Sequence, residues 1–267
     1  MSHGRNGLAY KEISSQISAN LSKALELDPE LAQARNLLAE VKYQFDFDWV
    51  EAEKEFKKAI ELNPNVASIH LAYGWYLMSI GRFEEATKEI ERAQELDPHS
   101  MVINRSRGRL LYYMHQFDQA IQHFQRMVDV EPHVTVNQLV LADAYEQKGM
   151  YAEAVDTFTK AALNAGVDAK KIEEEKEIFR TSGWQAYLQM RKDRMMQVLT
   201  RGGYASPLTI AALNARLGNK EEAFTWLDKA VDARASGIPN LKVDPVFDSL
   251  HSDVRFAKLL QRMNIAP

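Results

Sequence analysis

Four prolines constrain this chain more than any other feature. LDP ends at Pro29, LNP at Pro64, LDP at Pro98 and VEP at Pro132, at intervals of 35, 34 and 34 residues. A proline cannot continue a helical hydrogen-bond ladder, so each marks a helix end. Other positions keep the same beat. Ala52, Ala86, Ala120 and Ala154 are 34 apart, and Phe56, Ile90, Phe124 and Phe158 follow each by four. Ala39, Gly74, Gly108 and Ala142 form a third series, all small. Such a period predicts stacked supersecondary units, none of which buries its apolar face alone.

Each unit reads as two helices, A and B. SIHLAYGWYLMSI is followed by the breaker Gly81-Arg82 and then by FEEATKEIERAQELDP. Phe83, Ala86, Ile90 and Ala93 recur at helical spacing. The small series has a steric reason, since helices crossing at about 8–10 Å need Gly or Ala where their backbones meet.

The 34-residue pattern of Gly or Ala, Ala, an apolar residue and Pro resembles the tetratricopeptide repeat (TPR) family. The resemblance is carried by residues 32–166. It implies an all-α, right-handed α-α superhelix. Residues 1–31 read as an N-terminal helix, a partial repeat resembling a lone helix B. Met1-Ser2-His3-Gly4 has the look of a cloning scar.

The stretch Phe45-Asp46-Phe47-Asp48-Trp49 alternates like a strand, but the register places it in the turn between helices A and B of the second repeat. The 35-residue interval puts one extra residue there. Asp48 is the expected N-cap of the helix that follows, and the three aromatics are expected to wedge between neighbouring helices.

After Gly166 the pattern blurs. Residues 167–203 read as a degenerate helical pair broken at Thr181-Ser182-Gly183, and EEEKE within it as a solvated face. Regular spacing returns over 204–235, with Ala211, Gly218, Ala223, Leu227 and Ala230 at repeat offsets. Pro207 fits the first turn of a helix capped by Ser206. Residues 236–267 read as capping helices, one after Asp244-Pro245 and one capped by Ser252 or Asp253, because a solenoid must cover its last repeat. The turn FDFDW, the segment ASPLTIAALNARLGNKEEAFTWLDKA and the segment KVDPVFDSLHSDVRFAKLLQRM together resemble one bacterial TPR subfamily. There, such a segment follows an effector module, often a winged-helix DNA-binding domain and sometimes a kinase or nucleotide cyclase. The resemblance implies a regulatory or sensor segment of a larger bacterial protein, in the cytoplasm, or in the periplasm if a membrane span precedes it.

Composition and motifs narrow the chemistry. The 267 residues carry a formal net charge of −4, which disfavours direct nucleic-acid contact by this segment. There are no cysteines, so disulfides, thiolate zinc sites and thiol nucleophiles are excluded. No apolar run is long enough to span a membrane, and the start lacks the apolar core of a signal peptide. No phosphate-binding loop, dinucleotide fingerprint, nucleophile elbow or HExxH occurs. Glu84-Glu85 and Glu221-Glu222 open B helices, where negative charge complements the dipole. The seven histidines are scattered, and an unusual enzyme site around His115, Asp118 and His123 is the remote alternative. The expectation is no enzyme, no cofactor and no metal.

The family pattern places helix-A positions 2, 5, 9, 12 and 13 on the concave wall. Carried onto this chain, they give a peptide-binding groove of Asn36, Glu40 and Tyr43, then Leu71, Trp75 and Met78, then Arg105, Arg109, Tyr112 and Tyr113, then Leu139, Asp143 and Glu146. Arg105, Arg109 and Tyr112 share one helical stripe, suited to a peptide carboxylate, unless acids of the groove itself pair with the arginines. The carboxylate-clamp pattern of chaperone-binding TPRs is absent in register. The expected function is a protein- or peptide-binding scaffold; the alternative is self-association as a homodimer.

Overall fold

A computed structural model describes the backbone of residues 3–266 and the side chains from residue 14 onward. Met1 and Ser2 of the N-terminal tetrapeptide lie outside the described residues. The chain is all-α, with no strand among the described residues. Helix α1 spans His3–Leu27. Four hairpins follow: α2 (Ala32–Val41) with α3 (Trp49–Leu62), α4 (Ala67–Ser79) with α5 (Phe83–Leu96), α6 (Met101–Tyr113) with α7 (Phe117–Val130), and α8 (Thr135–Gln147) with α9 (Tyr151–Asn164). Helix α10 (Ala169–Thr200) is interrupted at Gly183, whose φ of 79° no helix accommodates. A fifth hairpin pairs α11 (Pro207–Arg216) with α12 (Lys220–Asp232). Two 3₁₀ turns, Ile238–Asn240 and Pro245–Leu250, lead to α13 (Val254–Arg262).

The turns inside the hairpins repeat as closely as the helices. A left-handed residue sits at Phe47, Gly81, His115 and Gly149. The next residue's N–H reaches back to a helix-A carbonyl: Arg82 to Leu77, Gln116 to Leu111 and Met150 to Tyr145. This is the Schellman closure that satisfies orphan carbonyls. In the first hairpin the corresponding bond runs from Asp48 N–H to Lys42 O, one residue longer. The extra residue is absorbed by a π turn at Lys42–Asp46. Asp48 caps α3 by accepting from Glu51 N–H. Ser206, Asp244 and Asp253 cap α11, the second 3₁₀ turn and α13 in the same way. Helices α5 and α7 lack a side-chain cap and instead carry Glu84, Glu85 and Asp118 in their first turns.

Packing follows the three periodic series. Ala52, Ala86, Ala120 and Ala154 are fully buried, and Phe56, Ile90, Phe124 and Phe158 fill the space beside them. Each such large side chain contributes about 1.5–3 kcal/mol. A Cβ at Gly108 would lie 2.6 Å from the Phe124 ring, and one at Gly74 would lie 2.9 Å from Ile90 Cγ1. The hairpins therefore close only with a bare backbone at these crossings. The main apolar core runs from Ala39 to Ile265, with a small separate cluster of Ala32, Ala59 and Ile69.

Ala86→Leu should test this packing. Forcing three extra carbons into a crossing with no free volume is expected to cost roughly 1–3 kcal/mol in chemical denaturation. A neutral result would mean that the crossing is loosely packed.

Candidate functional site

The C-terminal segment does more than cover α12. It folds back across the concave side and meets the first hairpin. Trp49 Nε1 donates to Met263 O at 2.6 Å. Arg234 Nε donates to Phe45 O at 2.6 Å, and its guanidinium lies 3.9 Å above the Phe47 ring. Asn264 Nδ2 donates to Phe47 O. Ser79 Oγ on α4 lies 2.7 Å from Asn240 Oδ1. The FDFDW turn is thus a docking platform. Phe47 and Trp49 stack on each other, Trp49 leans on Tyr43 and Tyr76, and the second face of the pair is covered by residues 234–264. Trp49 sits between neighbouring helices as expected, against Tyr43 and Tyr76, and the turn also contacts the far end of the chain.

A second contact crosses at α8. Arg216, at the end of α11, donates through Nη2 to Asp143 Oδ1 at 2.7 Å and sets Nε 2.9 Å from Glu146 Oε2. Burial disfavours the Arg216 charge, but Glu146 and Asp143 outweigh it and hold the guanidinium protonated. Burial also pushes Glu146 above the usual carboxylate range, against the pull of Arg216. A buried pair of this kind adds little net stability, yet it fixes register because either partner alone would be stranded. Asp244 lies within electrostatic reach of both Asp143 and Arg216. Burial pushes its carboxyl up to about 6, opposed by the Val246 N–H that it accepts.

The predicted groove residues fall into three groups. Tyr43, Trp75, Met78, Arg109 and Tyr113 converge on a cavity of about 390 Å³ whose opposite wall is the 234–240 loop. Asp143 and Glu146 are consumed by Arg216, and Tyr112 is buried nearby. The remainder do not join that cavity. Asn36 is buried with its amide on Glu40, Leu71 is buried, Arg105 donates to Asn137 Oδ1, and Leu139 is exposed. Five of the expected groove residues thus line one cavity between the first three A helices and the C-terminal loop. The alternative in which Arg105 and Arg109 pair with acids of the groove is not seen: Asp143 and Glu146 pair with Arg216, and Arg105 with Asn137.

The histidines do not assemble. His123 Nε2 bonds Asn104 O on the outer side, Asp118 pairs with Lys148, and His115 faces Asp248 at 3.7 Å. Among the described residues no three metal-ligating side chains come together, and no helix is long and apolar enough to cross a membrane. Reading by repeat register missed Arg216, Arg234, Asn240 and Asp244, because none of them belongs to a helix-A groove position. The one signal was their density in and just after the last hairpin.

The raised carboxyl of Asp244 has a direct consequence. A group whose folded pKa lies above its unfolded value stabilises fully below about pH 4 and loses that contribution as pH rises through about 6. Asp244→Asn keeps a capping side chain without the charge. It is expected to raise stability near neutral pH by on the order of 1–2 kcal/mol, trimmed for partial solvent contact. The gain should vanish near pH 4 in paired thermal melts. A pH-independent difference would refute the assignment.

Residues 48–100 and 105–168 match the tetratricopeptide repeat family. Among solved structures, the chain is similar to PilW, a widely conserved type IV pilus biogenesis factor, at 20% identity over 85% of this chain and 90% of that one, with a TM-score of 0.55. It is also similar to pilF of Pseudomonas aeruginosa, at 20% identity over 90% of this chain and 94% of that one, TM-score 0.49. A third is YrrB, a TPR protein with an unusual peptide-binding site, at 18% identity over 83% and 96%, TM-score 0.45. No curated protein matches the chain. With its repeat beat, its hairpin closures and the likeness of fold to PilW, the chain has the fold of a tetratricopeptide-repeat solenoid, all-α, and residues 48–100 and 105–168 carry the repeats of that family.

Proposed function

We propose that this chain is a non-enzymatic scaffold that binds a protein or peptide segment on its concave side. In this reading it is a regulatory or sensor part of a larger bacterial protein and works in the cytoplasm. One observation carries the proposal: the inner faces of the first three A helices converge on a single cavity through Tyr43, Trp75, Met78, Arg109 and Tyr113. Aromatic side chains and arginine are the residue types that anchor protein interfaces. Arg109 makes no hydrogen bond or ion pair with another side chain among the described residues, so its donors are available to a partner. The regulatory context draws support from the FDFDW and KVDPVFDSLHSDVRF segments and their resemblance to the bacterial subfamily.

A displayed peptide library selected on the protein, followed by affinity measurement of the best binder, tests the proposal. Arg109→Ala is expected to weaken that binder by roughly 2 kcal/mol if it is an anchor. Folding stability should stay within about 0.5 kcal/mol, because no internal partner is lost. Selected peptides that bind the variant equally well would count against a concave-side site.

A further inference from the structure

We infer that the outer side of the third hairpin carries a second binding site, a polar hollow that takes the phosphoryl group of a phosphorylated side chain on a protein partner. The hollow lies away from the concave cavity, and its role does not depend on what that cavity binds.

The chain has a net charge of −4, yet this hollow of about 400 Å³ is lined by two guanidiniums, Arg107 and Arg126, by His123 and by the amides of Gln94, Gln119 and Gln122, with no carboxylate. Elsewhere in the repeats arginines are matched internally: Arg35 by Glu55, Arg82 by Glu53 and Glu85, Arg92 by Glu95. Arg107 has only a neutral partner, Gln94. Arg126 makes no hydrogen bond or ion pair among the described residues. Both charges reach His123, whose protonated ring is disfavoured first by burial and then by these two guanidiniums, against the pull of Asn104 O.

The hollow is built before any ligand arrives. The His123 ring is seated against the bare backbone of Gly108, where a Cβ would come within 2.8 Å of its Cδ2, and its Nε2 donates to Asn104 O at 2.7 Å. Gln94 ties the far side together: its Nε2 donates to Asn104 Oδ1 at 3.2 Å and its Oε1 accepts from Arg107 Nη1 at 3.0 Å. Arg107 is thereby oriented, with Nε and Nη2 unspent. Both arginines stand before the last turns of α6 and α7, and Gln94 is the one polar lining residue in a last turn. The helix-terminal field against an anion is therefore small.

The donor set selects the partner. Two guanidiniums with flanking amides suit a group of nearly two negative charges and three acceptor oxygens, which is how arginine clusters recognise phosphorylated side chains. Arg107, Gln119, Gln122 and Arg126 are exposed, so the hollow does not wrap a free small molecule as small-ligand sites do. It fits a group held out by a larger chain. No Phe, Tyr or Trp lines it for base stacking, and two arginines do not make the basic stripe of a nucleic-acid binder. Glutamine amides, which both donate and accept, match the peptide groups beside a phosphorylated residue.

A hexapeptide library with a fixed phosphoserine and randomised flanks, selected on the whole chain, supplies the probe. Its best binder and the unphosphorylated counterpart are then titrated by fluorescence anisotropy at physiological salt. We expect the phosphorylated form to bind at least about tenfold more tightly, the range of one charge-assisted hydrogen bond. Arg126→Gln should abolish that preference and leave the thermal melt unchanged, because no internal bond is lost. Arg109→Ala, in the concave cavity, should leave the preference intact. Binding should also shift the His123 ring resonances and raise the pKa of that ring, since an anion beside it favours the protonated form. A library without a phosphate-dependent binder, a preference that survives in Arg126→Gln or is lost in Arg109→Ala, or an unmoved His123 would overturn the inference. So would an oligothymidylate that displaces the peptide, because it would assign the hollow to nucleic-acid phosphates.

Discussion

A two-helix hairpin with apolar stripes on two sides covers one of them with its own partner helix and leaves the other to its neighbour. Everything in this chain answers that constraint. Ala86 and its equivalents let the helices of a hairpin touch, while Gly74 and Gly108 leave room for Ile90 and Phe124. The left-handed residue at every hairpin turn sets the return angle, so that each unit offers the same surface to the next. Repeat arrays are stable as a sum of such neighbour contacts. The 34-residue beat is the record of that requirement in the sequence.

What distinguishes this solenoid is how its ends are treated. A terminal repeat needs only a polar outer face, yet residues 234–264 reach back to the first hairpin and bond three consecutive odd-numbered positions' surroundings: the carbonyls of Phe45 and Phe47 and the indole of Trp49. The Arg216 pair with Asp143 and Glu146 fixes the same closure from the side of α8. Between the repeats and this tail lies a cavity of about 390 Å³, walled by the A helices on one side and the 234–240 loop on the other.

The repeat architecture was legible because period, helix stops and small-residue positions are local properties. Asp48 and Ser206 could be named as caps for the same reason, the last cap was narrowed to Ser252 or Asp253, of which Asp253 caps, and the extra residue before Phe47 was visible as a 35-residue interval. The candidate site was legible only in part. Trp75, Met78 and Arg109, chosen by register, line one cavity, but register carries no information about what lies across the hollow. Arg234 and Asn240 sit in a loop with no period, and their partners are 189 and 161 residues away along the chain. Contacts of that reach leave no trace in local pattern. Tyr112 and Tyr113 are buried, packed edge-on against each other, with Tyr112 also against Phe117.

The bond between Trp49 and Met263 joins residues 214 positions apart. In an open array, a terminal hairpin can melt and re-form by itself, and a chain with only neighbour contacts folds quickly from any point along it. Tying the first hairpin to the last segment brings in contacts of very high order, whose loop-closure entropy must be met before they stabilise anything. The expected result is a slower final folding step and a sharper, more unified transition, in which both ends hold or let go together.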